Sequence, residues 1–315
     1  MFPTRTIFTV ALASSMLLAP AATFAQAVVS EFSSDPTTRH GNDPVFFVRG
    51  PGAAQFVHDP ASPSRFAGDN KGSLAVTYDS LLPTTRLLTT FPGGFTQHDD
   101  FVFGAVITIR LDGFAPDPFG FHPIAFSLIN SATTGDDRTG DLSDFSADTF
   151  DTVEASYFPN ISPFFGGPYF SPDVFGQALG GDAFANFGFG SVNFELQPGA
   201  TYLIEMEHAA AGRLLVGQVS VVQADGRAIL LPNSRVQIDL SNVTGFLVDS
   251  LGISAYHDGF NVFSQSGRSL LATVDYDLLF CGKKEGGLLP AEVIKALKRF
   301  NKENSRFASG TPPVQ

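Results

Sequence analysis

The sequence predicts an all-β protein: two antiparallel sheets packed as a sandwich, with a short helix at the C-terminal end. Three observations carry this reading. Gly and Pro, 31 and 21 in the whole chain, punctuate residues 28–280 every ten or so residues, the rhythm of turns between short strands. The runs between them are rich in β-branched and aromatic residues and show no helical period. Phe is in excess, 33 of 315 residues against 6 Tyr and no Trp, and flat apolar rings suit a thick core between facing sheets.

Taken in chain order, strands are expected at 73–78, 101–110, 123–129, 152–157, 191–196, 201–207, 214–223, 235–240, 252–255 and 269–279. The run 101–110 is the strongest, with Phe101, Val102, Phe103, Val106, Ile107 and Ile109 in ten residues. Asp225-Gly226 between two apolar runs is a hairpin signal. From Gly282 the composition changes. Leu289, Val293, Ala296, Leu297 and Phe300 fall at helical spacing behind Pro290, and residues 283–306 carry a net charge of +4. The segment 281–315 therefore reads as a basic amphipathic helix and a disordered tail. The helix would dock on its own acidic sandwich in preference to a membrane surface or an acidic partner.

At the other end, residues 1–27 read as a secretory signal. Arg5 lies in a short leading region, an apolar stretch spans 7–22, and Ala25-Gln26-Ala27 offers small residues for cleavage after Ala25 or Ala27. Pro20 shortens the apolar run below the length of a membrane span, and no other segment is long and apolar enough to be one. The mature protein is expected to be secreted or periplasmic.

The formal charge of -12 excludes a nucleic-acid partner, because no basic field exists to replace counterions on phosphates. One Cys, Cys281, forbids an intrachain disulfide framework and leaves a buried thiol or an intermolecular link. The six His are scattered, with no zinc spacing, and no nucleophile elbow occurs.

The strand run 101–109, then Pro123-Ile124-Ala125-Phe126-Ser127-Leu128, then Val153-Glu154-Ala155-Ser156-Tyr157-Phe158-Pro159-Asn160 resembles the legume-lectin, concanavalin A-like jelly roll. The likeness continues through 201–219, Val236-Gln237-Ile238-Asp239-Leu240 and Val248-Asp249-Ser250-Leu251-Gly252-Ile253-Ser254-Ala255, covering about residues 70–280 in order. It implies a two-sheet concanavalin A-like jelly-roll sandwich over 28–280 that binds a polysaccharide or other glycan and pairs edge to edge into a homodimer. Glu154 occupies the position of a transition-metal carboxylate ligand. Asn160 occupies that of the Asn that binds calcium and contacts sugar, with the Phe158 carbonyl beside it. Ser156 stands where a bridging Asp belongs, Phe165 and Phe170 where an Asp and a His ligand belong, and His122 where the sugar-binding Asp belongs. Asp173 is the acid that could compensate by a change of loop length.

Two local readings join this one. The segment 136–151 holds six Asp, ingredients of a calcium site or of a solvated acidic loop, and it runs into Glu154. The segment 159–170 is a Gly/Pro loop dense in aromatics, where Tyr157, Tyr169 and Asn160 could stack on and read a sugar. The ligand-binding candidates are thus Glu154, Tyr157, Asn160, Tyr169 and His122; the metal candidates, with calcium as the cation, are Glu154, Asn160 and Asp151. The leading function is a secreted, non-catalytic lectin-like protein binding glycan on the concave sheet and adjoining loops. The alternatives are a glycan-active hydrolase or lyase and a ligand-free structural protein. Hydrolysis requires a second acid within about 5–9 Å of Glu154, yet its strand offers only Ser156 and Phe158 on the same face. Glu205-Met206-Glu207 is expected on a solvated strand face.

Overall fold

The computed structural model describes residues 27–61, 72–117, 122–135, 150–159, 167–177, 186–257 and 267–300. The expected leader up to residue 26, the acidic segment 136–149, Asn160, Phe165 and the residues beyond 300 lie outside them. Among the described residues seventeen strands run in chain order: β1 (Ala27–Ser30), β2 (Phe47–Arg49), β3 (Phe56–Asp59), β4 (Ser73–Asp79), β5 (Thr85–Thr96), β6 (Phe101–Pro116), β7 (Ile124–Ile129), β8 (Thr152–Phe158), β9 (Tyr169–Phe175), β10 (Phe187–Phe189), β11 (Val192–Asn193), β12 (Thr201–Ala209), β13 (Leu214–Val222), β14 (Ala228–Leu230), β15 (Val236–Asp239), β16 (Leu247–Ala255) and β17 (Leu270–Lys283). One helix, α1 (Ala291–Lys298), follows. No helix among the described residues is long and apolar enough to cross a membrane.

The strands form two antiparallel sheets. One is ordered β14-β13-β12-β6-β17-β4-β3, with β1 on β17 and β15 on β13; the other is ordered β10-β9-β8-β7-β16-β5-β2, with β11 on β9. This is the two-sheet jelly roll that the sequence predicts. Period-2 alternation builds the core. Phe101, Phe103, Ala105, Ile107 and Ile109 of β6 point into it, as do Ile124, Phe126 and Leu128 of β7 and Tyr202, Ile204 and Met206 of β12. Rings cross between the sheets: Phe103 meets Phe126 edge-on at 5.9 Å, and Phe95 stacks on Phe101 at 5.1 Å. The Tyr78 and Tyr276 hydroxyls share a hydrogen bond of 2.6 Å, and Tyr78 also donates to the Ala125 carbonyl of the opposite sheet.

The other face of β6 is apolar too, because α1 covers it. Val102, Val106, Leu203, Leu278 and Phe280 pack against Leu289, Val293, Ala296, Leu297 and Phe300, and Arg299 pairs with Glu31 at 2.7 Å. The basic helix thus docks on its own sandwich. The same sheet face corrects the expectation for Glu205 and Glu207. Glu205 is only 4% exposed and accepts from the Gln218 amide, while Glu207 is half-buried and paired with Lys284. Cys281, opposite Val28, is a fully buried thiol whose pKa burial pushes up; it is no intermolecular link.

Seven of the strands, β1, β2, β3, β5, β9, β10 and β14, lie outside the expected runs, and the runs themselves depart at one further point. β5 was not foreseen at all. The segment 159–170 is not loop throughout, since β9 begins at Tyr169. The strand expected at 191–196 pairs only at Val192–Asn193.

Two measurements test this packing. Phe300→Ala should cost about 3–5 kcal/mol in urea unfolding; an unchanged midpoint would mean that α1 is not part of the cooperative unit. His208 is buried against Phe101, with Nδ1 2.7 Å from the Asp99 carbonyl, and burial lowers its pKa below the ordinary 6.5 even though the Asp99 contact and Asp100 oppose the shift. The unfolded chain then binds this proton more tightly, so stability should fall as pH drops through that ordinary value. His208→Gln should flatten this part of the pH profile, and a profile identical to the parent's would refute the assignment.

Candidate functional site

Outward-facing residues of the eight-stranded sheet form polar rows across the strands. Register aligns Leu88, Gly252, Ser127, Glu154 and Asp173 in one row, and Arg86, Ser254, Ala125, Ser156 and Ser171 in the next. The Glu154 carboxylate accepts from the Ser156 hydroxyl at 2.7 Å and from the Tyr256 hydroxyl at 2.6 Å. The Arg86 guanidinium lies 5.1 Å from the centre of the Tyr256 ring. Glu154 and Asp173 are directly opposed, a geometry that sets their Cβ atoms about 4.5–5.5 Å apart. The second acid absent from the Glu154 strand therefore comes from its neighbour. Yet this face is shut: Arg86 is 0% exposed, and Glu154 and Asp173 are each 1%.

The sequence-derived candidates scatter over this framework. Tyr157 requires correction, because its ring points away from Glu154 into the inter-sheet core with Val153 and Ala155, where its hydroxyl accepts from the Leu196 N–H. His122 is buried just ahead of β7. Tyr169 is half-buried on the outer face and stacks on Phe158 at 4.7 Å.

Asp151 lies at the other end of β8, about 23 Å by strand rise from Phe158. Its oxygens accept from the Thr133 hydroxyl and the Leu247 N–H. It cannot share a cation with groups beyond Phe158, since calcium ligands lie within about 2.3–2.6 Å of the ion. Among the described residues no three His, Cys, Asp or Glu side chains converge as a metal group. Nearby, the Arg49 guanidinium donates to the Ser131, Thr134 and Gly135 carbonyls at 3.4, 3.0 and 3.1 Å, a resident cation holding the turn after β7. Glu154 and Asp151 do not fit the two-metal site that the lectin resemblance implies.

One open part of this sheet is its β10–β11 edge. Phe187 packs at a tilt on Phe175 at 4.5 Å and stacks on Phe189 at 5.3 Å, and Phe189 is 63% exposed. Beyond them Ser191, Asn193 and Glu195 are exposed, while Gly188 and Leu196 are buried and Val192 and Phe194 pack toward the core. The edge therefore presents a stacked ring pair followed by a hydroxyl, an amide and a carboxylate. Sequence reading missed it, although the alternation in Phe187-Gly188-Phe189-Gly190-Ser191-Val192-Asn193-Phe194-Glu195 was there to find.

The two roles separate by mutation. Tyr256→Phe should cost about 1–3 kcal/mol by leaving a buried carboxylate oxygen without its donor, whereas Phe189→Ala should leave the melting temperature nearly unchanged. Equal losses in thermal denaturation would refute the division between a closed acid face and an open edge.

No family model and no curated protein matches the sequence. Solved structures that resemble the chain include peanut lectin, bound to a nine-residue peptide, at 11% identity and a TM-score of 0.47 over 82% of this chain and 97% of the lectin. The carbohydrate recognition domain of Emp47p aligns at 11% identity and 0.47 over 85% and 100%. Lectin I from Ulex europaeus, in complex with the methyl glycoside of α-L-fucose, aligns at 11% identity and 0.45 over 82% and 98%. The likeness is to the concanavalin A-like lectin fold. At these values the sandwich assignment rests on the strand order and register of the chain itself, and no residue role is carried over from the lectins.

Proposed function

We propose that the protein is an exported, non-catalytic, carbohydrate-binding sandwich that takes glycan at the β10–β11 edge of its eight-stranded sheet. The observation that carries this reading is the exposed Phe189 ring, stacked on Phe187 and in line with Ser191 and Asn193. A pyranose CH face packs on such a ring, and adjacent hydroxyl and amide groups read the sugar hydroxyls. Export fits the leader. With β1 starting at Ala27, opposite Gly282, cleavage after Ala25 keeps the whole strand, and cleavage after Ala27 removes its first ladder pair.

The opposed Glu154 and Asp173 favour a second reading, glycoside hydrolysis, whose retaining acid pairs stand about 5–5.5 Å apart. Their near-complete burial leaves binding ahead of catalysis.

The mature chain should bind members of a glycan array, and Phe189→Ala should weaken that binding roughly tenfold or more, about 1.4 kcal/mol. An array without a hit, or a variant that binds as well as the parent, would refute the reading. Calcium should not move the melting temperature relative to EDTA. A metal held only by the native state at 100 times its dissociation constant would add about 2.7 kcal/mol, so a shift of several degrees would restore a metal-dependent site.

A further inference from the structure

The edge carries more than one ring. β10 and β11 keep a single register on β9: Phe187 opposes Phe175, Phe189 opposes Asp173, Val192 opposes Phe170 and Asn193 opposes Tyr169. Between the two strands the Gly190 N–H donates to the Pro172 carbonyl at 3.2 Å. Residues 187–193 are therefore one extended edge, not two fragments. Its inner side is fitted to the opposite sheet. A Cβ on Gly188 would meet Leu240 at 3.0 Å, and one on Gly190 would meet Val236 at 2.9 Å. Phe194 continues inward, 6.2 Å from the Tyr157 and Phe170 rings. The outward file Phe189, Ser191, Asn193 and Glu195 is thereby held on a rigid support, which lowers the ordering cost of binding.

From Phe189 to Asn193 the strand rise gives about 13 Å, longer than one sugar ring, and exposed Glu195 follows two residues on. A monosaccharide on Phe189 would leave Asn193 and Glu195 unused. Resting on the carbohydrate-binding reading above, we infer that the edge takes a linear oligosaccharide lying along the strand, not a single terminal sugar. The CH face of one unit packs on Phe189, and successive units present hydroxyls to Ser191, Asn193 and Glu195. A ring platform on a straight edge suits a ribbon-like chain with equatorial linkages. The Glu195 carboxylate and the charge of -12 select a neutral chain over an anionic one.

The test is calorimetric titration with glucose and the β-1,4-linked cello-oligosaccharides up to the hexasaccharide. Affinity should rise on the order of 100-fold along the series and flatten once the chain reaches Glu195. The double variant Asn193→Ala, Glu195→Gln should abolish the rise while leaving the disaccharide affinity intact, and Phe189→Ala should lower every affinity. These side chains are exposed, so unchanged melting temperatures check that each variant folds. Equal affinity across the series overturns the inference and leaves a single-sugar site. Silence towards the whole series, with hits on the glycan array, overturns the chain class proposed here and spares the carbohydrate reading. A dimer in sedimentation that Phe189→Asp dissociates, with no glycan bound, assigns the edge to a second copy and overturns both.

Discussion

The pairing of β6 with β17 is the constraint on which the rest of the structure depends. These two long strands, remote in sequence, run antiparallel from Phe101–Lys283 to Pro116–Leu270. β12, β4 and β1 attach directly to one of them, β13 and β3 attach to those neighbours, and β14 and β15 extend the sheet from β13. Because β6 is apolar on both faces, the hydrophobic pattern alone does not forbid a slip of one residue, which elsewhere would expose a buried face. Two local fits set the register instead. Phe280 opposes Gly104, where a Cβ would meet the Phe280 ring at 2.6 Å and the Ile204 carbonyl at 2.5 Å. Arg110 grips Asp275 with both Nε and Nη2, at 2.6–2.9 Å, beyond the bulge between Ala272 and Val274.

With that register fixed, the inner rings of β6 face the inner residues of β7 and β8, and parity then dictates the rest. If Val153, Ala155 and Tyr157 fill the core, Glu154 and Ser156 must face outward. An outward carboxylate that is nonetheless buried is costly unless hydrogen-bonded, and Ser156 and Tyr256 supply those bonds. The acid face thus contributes to holding the sheet, and the recognition proposed for this protein falls to the edge where side chains reach water.

Much of this was legible. The 101–110 run, the hairpin at Asp225-Gly226 and the apolar stripe of the helix are local patterns, and each led to the observed element. β5 was not, because Pro92-Gly93-Gly94 reads as a turn. In the structure Gly93 and Gly94 take positive φ within the strand, beside the register shift between Val248 and Ser250, and a Cβ on Gly94 would strike the Val248 carbonyl at 2.8 Å. β9 was hidden by Pro172. Of the candidate site, the outward face of Glu154 was readable from period 2, and the same rule already set Tyr157 on the opposite side. Its opposition to Asp173 was not readable, since cross-strand register is a tertiary property that one sequence does not fix.

An exposed edge strand is a liability, offering unpaired backbone groups to any passing strand. This protein blunts the edge along part of its length with Ser191, Asn193 and Glu195, residues that disfavour edge-to-edge aggregation. Phe189 does the reverse, since its exposed ring adds apolar surface where negative charge would have been safer. Folding does not require that ring outside, for Gly188 and Gly190 already seat the strand against β15 and Phe194 anchors it in the core. A side chain that stability does not need and solubility disfavours is best accounted for by what it touches in a complex. On the proposed reading, the polar file beside it serves two ends, keeping the free edge soluble and reading hydroxyls when the edge is occupied.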